Sequence, residues 1–151
     1  MYSIVTNVHI VLFVLVFILG LNVIIRAQRG KSSNAEFTDT DRKAGLFFMI
    51  SLHTQLLIGL GLYFISPRVQ FVKGWMSSKV AEGMYRFYNL EHILLMIIAI
   101  ALVTIGHSKS KKGAAPEEKF KPIKLWYVIG LLLILAAIPW PFRTVLGGGW
   151  F

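Results

Sequence analysis

The stretch IVTNVHIVLFVLVFILGLNVII, Ile4–Ile25, runs for 22 residues without one Asp, Glu, Lys or Arg. A helix needs roughly 20 predominantly apolar residues to cross the hydrocarbon core of a bilayer. Three further stretches of similar character follow, at about Ala44–Ile65, Phe87–Gly106 and Ile123–Trp140. In lipid the backbone must satisfy its own hydrogen bonds, so each stretch is expected to be a helix. The first lacks the basic start and the small-residue cleavage site of a signal peptide and reads as a retained span.

Composition agrees. The chain of 151 residues is 56% hydrophobic and only 15% charged, with a mean hydropathy of +0.65. A small soluble domain cannot bury that much apolar surface. Disorder is excluded by the same excess. With no cysteine, disulfides, thiolate metal sites and iron–sulfur clusters are excluded too. The expected fold is an all-α integral membrane four-helix bundle in a single domain, residues 1–151.

The net charge of +9 is unevenly placed. Arg26, Arg29, Lys31, Arg42 and Lys43 lie between the first two stretches. Lys109, Lys111, Lys112, Lys119, Lys121 and Lys124 lie between the last two. Basic loops stay in the cytoplasm, which puts both termini on the outer, periplasmic side of a bacterial inner membrane. The basic loops also suit anionic lipid, and no aromatic-interleaved basic surface suggests nucleic acid.

Local signals set the boundaries. Thr38 and Asp41 fit a capping pattern ahead of the second span, and Pro67 ends it. Pro122 suits the first turn of the fourth span. Ser32–Asn34 and Ser108–Pro116 read as loops, Gln70–Tyr85 as a surface segment, and Gly147–Gly149 as a loose tail.

Ionisable groups inside a membrane are costly and are functional candidates by default. Here they are His9, His53, Glu91, His92 and His107. At 1.5 Å per residue, His9 and His92 both fall about 8 Å to the outer side of the midplane, whereas His53 lies about 3 Å and His107 about 14 Å toward the cytoplasm. His9 and His92 therefore share a level. On the third span His92, Met96, Ala99 and Val103 form one stripe. On the second, Leu57, Leu60 and Gly61 fall near His53 and Gln55 points away. On the first, Gly20 lies nearly in line with His9, where it would let a helix or a flat group come close.

Haem b answers the need for neutral imidazoles in lipid, since it is flat, largely apolar and ligated by histidine. His9 and His92 are the expected ligands, with His53 as a further candidate. Arg68, Arg86 or Arg143 could meet the haem carboxylates. Copper or zinc on His9, His53 and His92 is a second answer. A proton relay through Glu91 toward a quinone or a neighbouring subunit is a third. An acid in the first turn of a helix also suits the helix dipole without any chemistry. No nucleophile elbow, metalloprotease motif, phosphate loop or dinucleotide fingerprint is present. An electron-transfer protein or subunit is expected rather than a stand-alone enzyme. The other class is a non-catalytic accessory subunit of a larger complex.

The motifs resemble a family of short four-helix bacterial membrane proteins labelled cytochrome b-like. They are His9 in the first span, HTQLLIGLGLYF at His53–Phe64, and RFYNLEH at Arg86–His92. TIG at Thr104–Gly106, IPWPF at Ile138–Phe142 and GWF at Gly149–Phe151 complete them. The resemblance covers nearly the whole chain. It implies haem ligation by His9, His53 and His92, and His107 is outside its motifs.

Overall fold

In the computed structural model, residues 1–146 are described, and the tail at Gly147–Gly149 and the GWF motif lie outside them. The described residues are helical, with no strand. Helix α1 is Tyr2–Ser32 and α2 is Asp39–Ile65. A single-turn α3, Met84–Arg86, leads through a π turn at Phe87–Glu91 into α4, His92–Lys112. Helix α5 is Pro116–Ala136.

The helices overrun the expected loops at the basic end. Helix α1 continues to Ser32 and α4 to Lys112, so only short connections remain before α2 and α5. Long basic side chains leave helix propensity high. The second span starts as the sequence indicates. Thr38 Oγ1 accepts from the Asp41 backbone N–H, and the Asp41 carboxylate accepts from the Thr38 N–H. Asp41 also takes a hydrogen bond from Arg26 Nε at 2.8 Å, tying α1 to α2.

The fourth helix differs from expectation. It begins at Pro116, so Pro122 lies inside it rather than in its first turn. Glu118 turns back to accept from the Ala114 backbone N–H at 2.8 Å, which fixes the earlier start. The helix ends at Ala136, just ahead of Pro139, not at Trp140. Helix α1, helix α2 and the run Ala81–Lys112 are long and apolar enough to cross a membrane. Helix α5 is not among them, because Glu117, Glu118, Lys119, Lys121 and Lys124 crowd its first half.

Packing fixes the order around the bundle. Helix α1 lies against α2 and α5, and α4 lies against α5 and, less extensively, α2. Helices α1 and α4 are thus diagonal. At the α4–α5 seam, a Cβ on Gly130 would stand 2.7 Å from Val103 Cγ2 and 3.1 Å from the Ala99 carbonyl. That close approach leaves the gap on the other side of α4, toward α1.

Candidate functional site

The half of the bundle away from the basic loops holds a cavity of about 210 Å³. His9 and His92 face it from diagonal helices, beside Phe13, Met96 and Ile134. Tyr2, Thr6, Ser66, Arg68 and Tyr88 add polar groups to an otherwise largely apolar lining. The two imidazoles meet with ring centroids 6.5 Å apart and planes inclined at 65°.

Each ring is held by its surroundings. His92 follows the π turn directly. A π turn adds a residue to the helical ladder and re-aims the side chains beside it, and such turns occur often at functional sites. Its Asn89 carbonyl accepts from Tyr63 Oη at 2.9 Å. The buried Asn89 side chain bonds both backbone groups of Gln70, which ties the surface segment to this turn. His92 Nδ1 lies 2.8 Å from the Ala137 carbonyl. A carbonyl only accepts, so Nδ1 carries the hydrogen and the neutral ring keeps its lone pair on Nε2. The Phe87 ring stands 5.8 Å from that of His92, and the Arg143 guanidinium lies over the Phe87 ring, 5.1 Å from its centroid.

His9 rests on α2. A Cβ on Gly59 would stand 3.1 Å from His9 Cε1, tighter than ordinary contact, so glycine makes the room the ring occupies. One turn earlier, Gln55 Nε2 donates to the His9 carbonyl at 2.8 Å. His9 Nδ1 and Gln55 Oε1 are both closed to solvent without a hydrogen-bond partner.

The other ionisable groups are elsewhere. His53 is exposed on the outer face of α2, and its Nδ1 bonds the Met49 carbonyl one turn back at 2.8 Å. The inward face of α2 carries Leu52, Gln55, Leu56, Gly59 and Tyr63. Gln55 does lie away from His53, but it is the Gln55 side of α2 and not the His53 side that faces the bundle. Glu91 is paired with Arg86 Nε at 2.6 Å. His107 is buried near the basic end, with Nδ1 3.1 Å from Tyr127 Oη. Gly20 holds the Phe48 ring of α2. A Cβ on Gly20 would stand only 2.9 Å from Phe48 Cε2, which leaves no place for a flat ligand.

Two imidazoles across a gap are a ligand set for a metal centre. Imidazole nitrogens sit about 2.0–2.1 Å from a bound first-row ion such as zinc, which puts two rings on opposite sides of it about 6 Å apart between centroids. The observed 6.5 Å is close to that spacing. A third protein ligand is missing. Among the described residues no group of three or more His, Asp or Glu side chains could hold a metal ion, so the three-histidine copper or zinc arrangement is not assembled. Haem would need only two protein ligands, and the imidazole pair, with His92 Nδ1 held by Ala137 and largely apolar walls around it, fits that group. Of the expected cations, Arg68 lines the cavity with its Nη1 donating to Tyr88 Oη at 2.9 Å, and Arg86 is paired with Glu91.

Sequence reasoning missed Gln55, Gly59, Asn89 and Ala137. The stripe Gln55, Gly59 and Tyr63 at four-residue spacing was the available signal on α2, a mid-span amide beside a small residue. No family model, curated protein or solved structure compared with this chain matches it.

Proposed function

We propose that this chain is a small b-type cytochrome, an electron-transfer protein or subunit that binds one haem b through His9 and His92. One observation carries the reading: imidazoles from diagonal helices face each other 6.5 Å apart in a largely apolar cavity. Diagonal helices are the pair between which a flat group enters without prising a packed seam. Bound haem supplies reversible one-electron chemistry at its iron.

The chain's own residues do the rest. Ala137 holds the Nδ1–H of His92 and so presents Nε2. Gly59 seats His9. Phe13, Met96 and Ile134 keep water from the site, and Arg68 offers charge to carboxylates at the cavity's polar lining. His53, on the outer face, takes no part in this site.

The membrane setting belongs to the same reading. All four long helices cross a bacterial cytoplasmic membrane, α5 with Lys121 and Lys124 extended toward the headgroups. The basic ends lie in the cytoplasm and both termini outside. A quinone or another membrane redox protein exchanges the electron.

The test is a reduced-minus-oxidised visible spectrum of detergent-purified protein from haem-replete cells. Sharp b-type bands are expected, lost in His9→Ala and His92→Ala and kept in His107→Ala. Colourless wild-type protein would overturn the reading in favour of an accessory membrane subunit, and metal analysis of that sample would test copper and zinc. Cysteine-directed labelling of Ser33→Cys from the cytoplasmic side alone checks the orientation.

A further inference from the structure

The two facing histidines are not equally supported. His92 has an acceptor on Nδ1, the Ala137 carbonyl at 2.8 Å. His9 has none: its Nδ1 is closed off and unpartnered. A second such atom belongs to the residue that bonds the His9 backbone. Gln55 Oε1 is also closed off and unpartnered, and it can only accept. The two residues are already joined, because Gln55 Nε2 donates to the His9 backbone carbonyl at 2.8 Å. Gln55, Gly59 and His9 thus form one contact between α2 and α1.

With Nε2 given to a metal, Nδ1 carries the hydrogen, and a buried donor and a buried acceptor left open on two adjoining residues are costly. The cost falls when each satisfies the other. A metal-bound imidazole almost always donates its remaining ring N–H to a carbonyl, carboxylate or water, and that bond fixes the tautomer. We propose that Gln55 is the positioning residue for His9: its amide oxygen accepts the Nδ1–H of His9 when Nε2 binds iron. The inference rests on the haem reading above. Gln55 then does for His9 what the Ala137 carbonyl does for His92. The difference is that a side-chain amide can turn to meet the ring, whereas the Ala137 carbonyl is fixed by the end of α5.

A hydrogen bond to Nδ1–H makes the imidazole a stronger electron donor and favours oxidised iron. Its loss raises the reduction potential, and a charged acceptor lowers it. The experiment is a redox titration of the haem-loaded full chain as wild type, Gln55→Leu and Gln55→Glu, with haem affinity measured in parallel. In Gln55→Leu the potential is expected to rise and haem affinity to fall about tenfold. In Gln55→Glu the potential is expected to fall below wild type. A merely structural role for Gln55 would not move the potential in opposite directions. Potentials equal to wild type in both variants, or shifted the same way in both, overturn the proposal while leaving the haem reading intact. If Gln55→Leu does not load, a Gln55→Glu potential at or above wild type overturns it alone. A wild-type chain that takes up no haem removes both readings and is recognised before any variant is made.

Discussion

Two histidine environments lie in opposite halves of one bundle, and their contrast shows what makes a buried imidazole available. At the basic end His107 is enclosed. Its Nδ1 meets Tyr127 Oη at 3.1 Å, and the same hydroxyl lies 3.4 Å from the Gly45 carbonyl. The space beside Gly45 is taken, since a Cβ there would stand 3.2 Å from Tyr127 Oη. His107 Nε2 is closed off without a partner. In the other half, His9 and His92 face a cavity, and Gly59 makes room for a ring where Gly45 makes room for a hydroxyl. The same residue type is a packed core group in one half and a cavity-facing pair in the other. What separates them is whether the neighbouring helix brings a side chain to fill the gap.

The largest effect is expected where that room is removed. Gly59→Leu pushes a side chain into the His9 ring. Overpacking of this kind costs about 1–3 kcal/mol. If that cost falls on the loaded geometry, haem affinity drops roughly five- to hundredfold, measured by haem titration of the apoprotein. Gly45→Ala, the matching change in the closed half, is expected to leave haem affinity at the wild-type value and to lower thermal stability instead. Equal loss of haem affinity in both would abolish the distinction between the halves.

An effect of comparable size, on stability alone, tests the closed half directly. Tyr127→Phe keeps the ring, which is fully buried against Phe48, and removes the hydroxyl. His107 Nδ1 and the Gly45 carbonyl then lose a shared partner in a dry core. A destabilisation of about 1–3 kcal/mol is expected, read as a lower thermal midpoint by circular dichroism in detergent. The visible spectrum should not change.

The helices were legible because their signals are local. An uncharged run of 22 residues, the Thr38–Asp41 cap and Pro67 each act within a few residues. The pairing of His9 with His92 was legible for a related reason, since rise per residue alone brings them to one level. The face of α2 was not. Taking His53 as the inward residue turned Gln55 outward, and the structure reverses this. Periodicity gives a stripe but not its azimuth, and α2 carries two polar stripes, one through His53 and one through Gln55, Gly59 and Tyr63. The fourth helix was misplaced because apolar content marked its span, while Pro116 and Glu118 set its start. The π turn before His92 left no sequence signal, because it depends on Tyr63 and Gln70 from elsewhere in the chain.

The smallest effect expected is at His53, and it bears on the comparison from outside both halves. A polar ring on the outer face of α2 needs a partner, and His53 finds one in its own helix, at the Met49 carbonyl. Thr54 does the same with Ile50, at 3.0 Å. Neither bond reaches another helix, so neither group positions the site. His53→Ala removes an exposed side chain and frees a carbonyl that still accepts within its helix. Stability should stay within about 0.5 kcal/mol of wild type, and haem bands should keep their position and intensity. Loss of the bands in this variant would mean that the outer face of α2 reaches the redox centre through a contact between chains. The division into an open and a closed half would then describe the single chain and not its working assembly.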